Sequence, residues 1–247
     1  MFPTLSIGPI SLPFPPLILV VGLWLGISIA EKKSKLYDID PALIDKLLGA
    51  TLVSGLIGAR LSFIFRNIQA FKGNILSMVS INPNLLDSTG GLFVAIAVGF
   101  FIISNSKINP WKILDLLSLF FIILLISVGL SNFAAGDGFG TSTTLPWGIK
   151  LWGENRHPVQ LYYVLADIIV LAVVLKYFAS KLSTPGNIFT LFSILTTSAY
   201  LFLSGFQETQ TYIIYGLHQN KITLWLLLLI SLSLSLIRYS SVAPEAN

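Results

Sequence analysis

This sequence predicts an all-α integral membrane protein of seven transmembrane helices, with its N-terminus outside and its C-terminus inside. Three observations carry that reading. Of 247 residues, 54% are hydrophobic and only 11% charged, with a mean hydropathy of +0.82; a soluble domain carries about 25% charged residues. The apolar residues fall into runs near the length that crosses a bilayer, roughly 20 residues each. The basic residues are also distributed unevenly among the loops. With the N-terminus outside, Lys32, Lys33, Lys35, Lys46, Lys107, Lys112, Lys176, Lys181 and Arg238 lie inside, against Arg66, Lys72, Lys150, Arg156 and Lys221 outside, the bias that orients membrane proteins. One transmembrane domain spans residues 1–247, and no separate soluble domain has room to fold.

Taken in order, residues 1–12 mix proline, glycine and apolar side chains as an interfacial entry segment. The first span covers about 14–30, with Pro15 and Pro16 at its start, where a missing N–H costs little. No basic residue precedes it, so it reads as a retained helix and not as a cleaved signal peptide. A polar loop follows at 31–42, and the second span at about 43–65 contains Arg60. The connector 66–89 has enough Ile, Leu, Met and Phe to form a short interfacial helix. The third span is short, about 90–104, and the fourth covers about 111–131. The fifth covers about 160–179, the sixth 187–206 after a Ser-Thr-Pro-Gly turn, and the seventh 221–238. No internal repeat is visible, which argues against a transporter.

The absence of cysteine excludes disulfides, thiolate metal sites and cysteine nucleophiles. A net charge of +4 without a basic run excludes a nucleic-acid surface. Chemistry concentrates between the fourth and fifth spans, in the outer-face loop 132–160, a polar stretch flanked by apolar ones. His157 is the candidate base, since histidine takes up a proton near neutral pH; its plainer reading is an interfacial residue at a helix start, with Pro158 in the first turn. Asp137, among Gly136, Gly138 and Gly140, either orients His157, binds a hydroxyl, or turns the chain. Arg60 within a span needs a partner or a polar cavity: it either snorkels to the interface or clamps a lipid phosphate. Asp115 reads as a carboxylate favouring its own helix N-terminus. Asp167, two helical turns after Gln160, faces the bundle interior as a structural group or a pocket wall. His218, alone in a polar loop, has no assigned role.

Several motifs together resemble the prolipoprotein diacylglyceryl transferases of bacterial inner membranes. They are FPTLSIGPISL at the start, IGAR around Arg60, Gly90-Gly91-Leu92, the spacing from Asp115 to Asn132-Phe133, Gly140, LPWG at 145–148, and RHPVQLY from Arg156 to Tyr162. The last two are specific, and their order covers nearly the whole chain. The resemblance implies the seven-helix fold and transfer of a diacylglyceryl group from phosphatidylglycerol to a lipoprotein cysteine, with no metal and no cofactor. His157, Asp137 and Asn132 are then the catalytic candidates, with Asp137 and Asn132 shaping the glycerol site. Arg60, Arg156, Gly140, Gln160 and Tyr162 become the lipid- and phosphate-binding candidates. The sequence also departs from the family pattern. Thr89 stands where a histidine usually precedes the GGL motif, Gly129 where an arginine does, and Asp137 in place of a glutamate. Leu201 and Gly205 replace a charged R-x-x-x-E pair, and Tyr163 stands for the glutamate after QLY. The alternative is therefore a catalytically degenerate relative that binds phospholipid or serves as a subunit of a membrane complex.

Overall fold

The computed structural model describes residues 4–7, 10–71, 78, 85–179, 184–208, 213–214 and 217–242. Among them are seven α-helices: α1 (Phe14–Ser34), α2 (Pro41–Arg66), α3 (Ser88–Asn105), α4 (Pro110–Ala135), α5 (Val159–Ala179), α6 (Asn187–Leu203) and α7 (Gln219–Val242). Three two-stranded hairpins join or precede them: β1 (Thr4–Ile7) with β2 (Ile10–Pro13), β3 (Ile149–Leu151) with β4 (Glu154–Arg156), and β5 (Ile213–Ile214) with β6 (Leu217–His218). All but α6 are long and apolar enough to cross a membrane. Side chains such as Val20, Trp24, Phe93, Phe100, Ile169, Trp225 and Leu236 are exposed on the long helices, as a lipid solvent requires. The protein is a multi-pass membrane protein.

The helices depart from the expected boundaries where local chemistry extends or stops them. The loop expected at 31–42 is partly helix. α1 continues to Ser34 because Lys32 and Lys33 occupy its last turn, where cations favour the negative end of the helix. A 3-10 turn at Lys35–Tyr37 follows, ended by Asp38 in the left-handed region. α2 then starts at Pro41, with the Asp40 carboxylate accepting from Ala42 N at 3.0 Å, an N-cap with proline at the first helical position. α4 runs on to Ala135 and takes Asn132 out of the loop. α6 stops at Leu203 instead of continuing to 206. The entry segment is the β1–β2 hairpin, with Thr4 opposite Pro13. In the connector after α2, a 3-10 turn covers Ile68–Phe71; most of the expected interfacial helix lies outside the described residues.

The chain divides into two compact units, residues 31–113 and residues 1–30 with 114–247. In the first, α2 packs on α3, with Ala59 and Gly91 buried. Asp87 fixes the start of α3. One carboxylate oxygen caps Thr89 N at 3.0 Å, and the other accepts from Ser62 Oγ at 2.7 Å and Arg66 Nε at 2.9 Å. The Ser62 hydrogen bond, ahead of the N-cap bond and the Arg66 charge, holds this carboxyl below its ordinary range. A lowered carboxylate stabilises the fold at higher pH, and that contribution is lost as pH falls through its folded value.

In the second unit α4 forms the core. More than half of its apolar stretch is buried, against under a third for any other long helix. α1 lies along it, with Ser131 Oγ donating to Pro15 O at 3.1 Å; α5 packs on α6 and α6 on α7. Asp115, expected to favour the N-terminus of its own helix, serves another. Fully buried in the second turn of α4, its carboxylate accepts from Gly186 N and Phe189 N at 2.8 Å each. It thus satisfies the open N–H groups at the start of α6, where a carboxylate also meets the positive end of the helix. Asp167 faces inward as expected: it is 1% exposed, and accepts from Tyr200 Oη at 2.8 Å, joining α5 to α6.

Asp115→Ala should lower stability by about 1–3 kcal/mol, since it strands two buried backbone donors, and Asp115→Asn, which keeps one acceptor, should lose less. Thermal unfolding of the detergent-solubilised protein measures both; an alanine variant as stable as the parent would show that the α4–α6 contact does not rest on this carboxylate.

Candidate active site

The site begins where α4 ends. Gly136 takes a φ of 87°, and the N–H groups of Gly136 and Asp137 both donate to Asn132 O at 2.9 Å, closing the helix with a left-handed glycine. The chain next runs through Phe139 and Gly140 to the β3–β4 hairpin. That hairpin turns at Trp152 and Gly153, whose φ values of 48° and 88° are the two successive positive angles a tight two-residue hairpin demands.

A backbone seam then gathers three segments. Gly140 N donates to His157 O at 2.9 Å and His157 N to Thr141 O at 3.1 Å; on the other side Thr141 N donates to Phe206 O at 2.9 Å. Residues 140–142 thereby lie between 156–157, just before α5, and 206–207, just after α6. Only glycine fits at 140, because a Cβ there would stand 2.5 Å from the Phe206 carbonyl oxygen and 2.7 Å from His157 Cβ.

The seam places His157 and Arg156 back to back. His157 is 8% exposed, walled by Tyr162 and Phe206 with ring centroids 5.9 and 5.3 Å away. Its Nδ1 lies 3.1 Å from Tyr162 Oη, which accepts from Trp147 Nε1 at 2.8 Å. An indole N–H can only donate, so the tyrosine hydroxyl keeps its own proton to direct at Nδ1. Arg156, its side chain 15% exposed, pairs with Glu208 through Nη1 and with Glu154 through Nη2 at 3.4 Å. Its guanidinium carbon lies 5.4 Å from the Trp152 ring centre, a cation–π distance. Arg156 Nε is buried without a partner. Gln160, 3% exposed, donates from Nε2 to Asp137 O, while its Oε1 is buried and unpartnered. Beside these groups, Gly136, Asp137, Gly138, Phe139, Trp152 and Glu208 line a cleft of about 410 Å³.

The structure brings together Asp137, Gly140, Arg156, His157, Gln160 and Tyr162. Asn132 contributes its carbonyl to the end of α4, while its side chain is exposed on the helix. Gly140 acts through its backbone, at the seam. Arg60 belongs to the other unit, where Nε donates to Met78 O and Nη1 to Leu85 O, both at 2.9 Å, with Phe71 under the guanidinium at 5.8 Å. It neither snorkels nor stands open; it ties down the connector after α2. Sequence reasoning gave no role to Trp147, Trp152, Phe206 or Glu208. Gly153 is the one local hint of the hairpin, since a bulky residue such as Trp152 is disfavoured at the positive φ it adopts, and nothing local marks Phe206 or Glu208 as belonging to this loop. Gly129, where the resemblance leads one to expect an arginine, is closely packed: a Cβ there would stand 2.6 Å from Val164 Cγ2 and 3.3 Å from Gln160 O.

Apolar helices long enough to span a bilayer, with a loop-built polar cluster at the end of α4, define a multi-pass membrane protein. Residues 3–237 match the family described as prolipoprotein diacylglyceryl transferase, and the chain belongs to that family. It is similar to several proteins named phosphatidylglycerol–prolipoprotein diacylglyceryl transferase. That of Finegoldia magna is 25% identical over 213 residues, covering 84% of each chain. That of Solidesulfovibrio magneticus is 27% identical over 199 residues, 76% of this chain and 74% of its own. For that of Tropheryma whipplei the match is 28% over 158 residues, 58% of each chain.

The seam rests on close packing at Gly140, so Gly140→Ala should lower stability by about 1–3 kcal/mol, the usual penalty of overpacking, and should weaken whatever ligand the site holds. Thermal unfolding and lipid retention of the purified variant measure both effects; an unchanged melting temperature would mean that the seam yields without penalty.

Proposed function

We propose that this protein transfers a diacylglyceryl group from phosphatidylglycerol to the cysteine thiol of a lipoprotein precursor. The observation that carries the reading is the pair of unpartnered buried atoms in the RHPVQLY segment, the donor Arg156 Nε and the acceptor Gln160 Oε1. Buried polar atoms left unpaired are rare and call for a partner. A glycerol phosphate headgroup offers both complements, an anionic oxygen for the guanidinium and a hydroxyl for the amide oxygen. The family membership and the names of the relatives point to the same headgroup.

In the reaction, sulfur forms a C–S bond to the glyceryl carbon as the C–O bond to phosphate breaks, and glycerol phosphate leaves with the electron pair. A free thiol has a pKa of about 8.5, so its proton needs an acceptor. We assign that role to His157, with Tyr162 at Nδ1 as the hydroxyl through which the proton passes. Arg156 steadies the charge that develops on the departing phosphate, and Asp137 at the cleft shapes the glycerol site. Arg60 would reach a phosphate only by leaving its carbonyl partners, so the reading rests on Arg156. A second reading, a lipid-binding relative without turnover, draws on the closed position 129, which leaves no room for the family's arginine.

We further propose that α6 is the seventh span, its 17 residues reaching about 25 Å at 1.5 Å per residue in a hydrocarbon layer of about 30 Å. The basic residues then put the N-terminus and the 132–160 loop outside and the C-terminus inside the bacterial plasma membrane. The chain has no cysteine, so single cysteines report without background. In whole cells a cysteine at Thr144 should react with an impermeant thiol reagent, and one at Lys35 should not; the reverse pattern would invert the orientation.

Purified protein mixed with phosphatidylglycerol and a peptide bearing a lipoprotein-type cysteine should yield the thioether, read by mass spectrometry beside an active family enzyme. Absence of product would reject the transferase reading in favour of the lipid-binding one. His157→Gln should slow transfer by about 10²-fold or more, the scale of a lost general base, and leave lipid retention unchanged. A variant as fast as the parent would remove His157 from the mechanism.

A further inference from the structure

Arg156 has its outward amino groups already committed. Nη1 is shared between Glu208 Oε2 and the Gly140 carbonyl at 3.5 Å, Nη2 reaches Glu154, and the Trp152 ring covers one face. The two carboxylates differ in placement. Glu154 is on the hairpin strand that carries Arg156, two residues away, at 3.4 Å. Glu208 comes from beyond the end of α6, 52 residues further along, and also lines the cleft. Its side chain is 53% exposed, so solvent weakens its hold and it can swing away into water, leaving Arg156 to Glu154 and the incoming anion. Asp137 lines the same cleft. Two carboxylates, Glu154 and Glu208, therefore pair with one guanidinium, and an arriving anion meets repulsion unless one of them withdraws.

Resting on the reading of Arg156 as a phosphate holder, we infer that Glu208 is a specificity-determining residue that occupies the phosphate position on Arg156. An anionic phosphodiester or phosphomonoester enters by exchange with the Glu208 carboxylate. Both are oxyanions competing for the same guanidinium donors, and the tethered one competes at a high local concentration. Such a competitor rejects weak anions and admits one with further contacts in the site, a form of selection by repulsion. The unpartnered Gln160 Oε1 offers such a contact to a headgroup hydroxyl. The loop after α6 thereby senses occupancy, since the seam joins Phe206, two residues before Glu208, to Thr141.

The full-length protein in phosphatidylcholine nanodiscs containing a fixed fraction of phosphatidylglycerol provides the test, with bound lipid read by native mass spectrometry. Glu208→Gln, which keeps the side-chain shape and removes its charge, should raise bound phosphatidylglycerol roughly threefold, the scale of an exposed ion pair, and leave bound phosphatidylcholine unchanged. The gain should vanish when Arg156→Gln is added. Glycerol phosphate in solution separates two sources of the anion: competition shows that the headgroup phosphate alone is exchanged, and a gain that resists it assigns the exchange to the intact lipid. No gain with Glu208→Gln, or the same gain without Arg156, would overturn the inference. Arg156→Gln by itself is the separate check on the underlying reading. If bound phosphatidylglycerol does not fall in that variant, Arg156 holds no phosphate; if it falls while Glu208→Gln does nothing, only the exchange is wrong.

Discussion

The polar end of this protein depends on one close approach, that of the Gly140 backbone to Phe206 and His157. Three stretches of chain far apart in sequence meet there, and each brings one part of the site. The segment before α5 brings Arg156, His157 and Gln160, the segment after α4 brings Asp137, and the segment after α6 brings Glu208. None of these could be held by a helix alone, because each lies where helical hydrogen bonding ends and backbone groups need other partners. The short three-segment seam supplies those partners. It spends the backbone groups of Gly140, Thr141 and His157 on one another and on Phe206.

At the other end of α6 the same rule is met by a side chain. Asp115 offers both carboxylate oxygens to the N–H groups that α6 leaves open, and Asp167 takes the Tyr200 hydroxyl in that helix's last turn. α6 is thus held at its start, in its last turn and just past its end. This matters because apolar side chains in lipid give no strong preference for a neighbouring helix over the surrounding acyl chains, and polar contacts have to supply position. A displacement of α6 along its axis would carry Phe206 and Glu208 with it and break the seam.

Much of this was legible in the sequence. Apolar run length located the helices, because a bilayer sets a common scale for them, and the concentration of polar residues pointed to the loop where the candidate side chains gather. Boundaries were less legible. Lys32 and Lys33 read as loop by charge, although a cation in the last turn of a helix is favourable. The end of α6 read as apolar through Phe206, although that residue leaves the helix to enter the seam. The partners of charged residues were not legible at all. Asp115 and Gly186 are 71 residues apart and Arg156 and Glu208 are 52 apart; no local pattern records which distant carboxylate meets which donor. Arg60 shows the same limit. Its need for a partner followed from its place within an apolar span, but that carbonyls of its own connector would be among the partners did not.

The close packing at Gly129 bears on what a side chain there would do to the segment before α5. With no Cβ there, α4 approaches α5 so closely that Val164 and the Gln160 carbonyl fill the space a side chain would need. Gln160 carries the unpartnered amide oxygen, so this packing also sets where that oxygen points. A guanidinium introduced at 129 would not simply restore a missing charge. It would push α5 outward and shift Gln160, His157 and Arg156 together, because they ride on the first turn of that helix and the strand before it. Arg156, at the end of that strand, is a guanidinium already fixed by Glu154, Glu208 and the Trp152 ring, so such a shift would have to disturb those contacts as well.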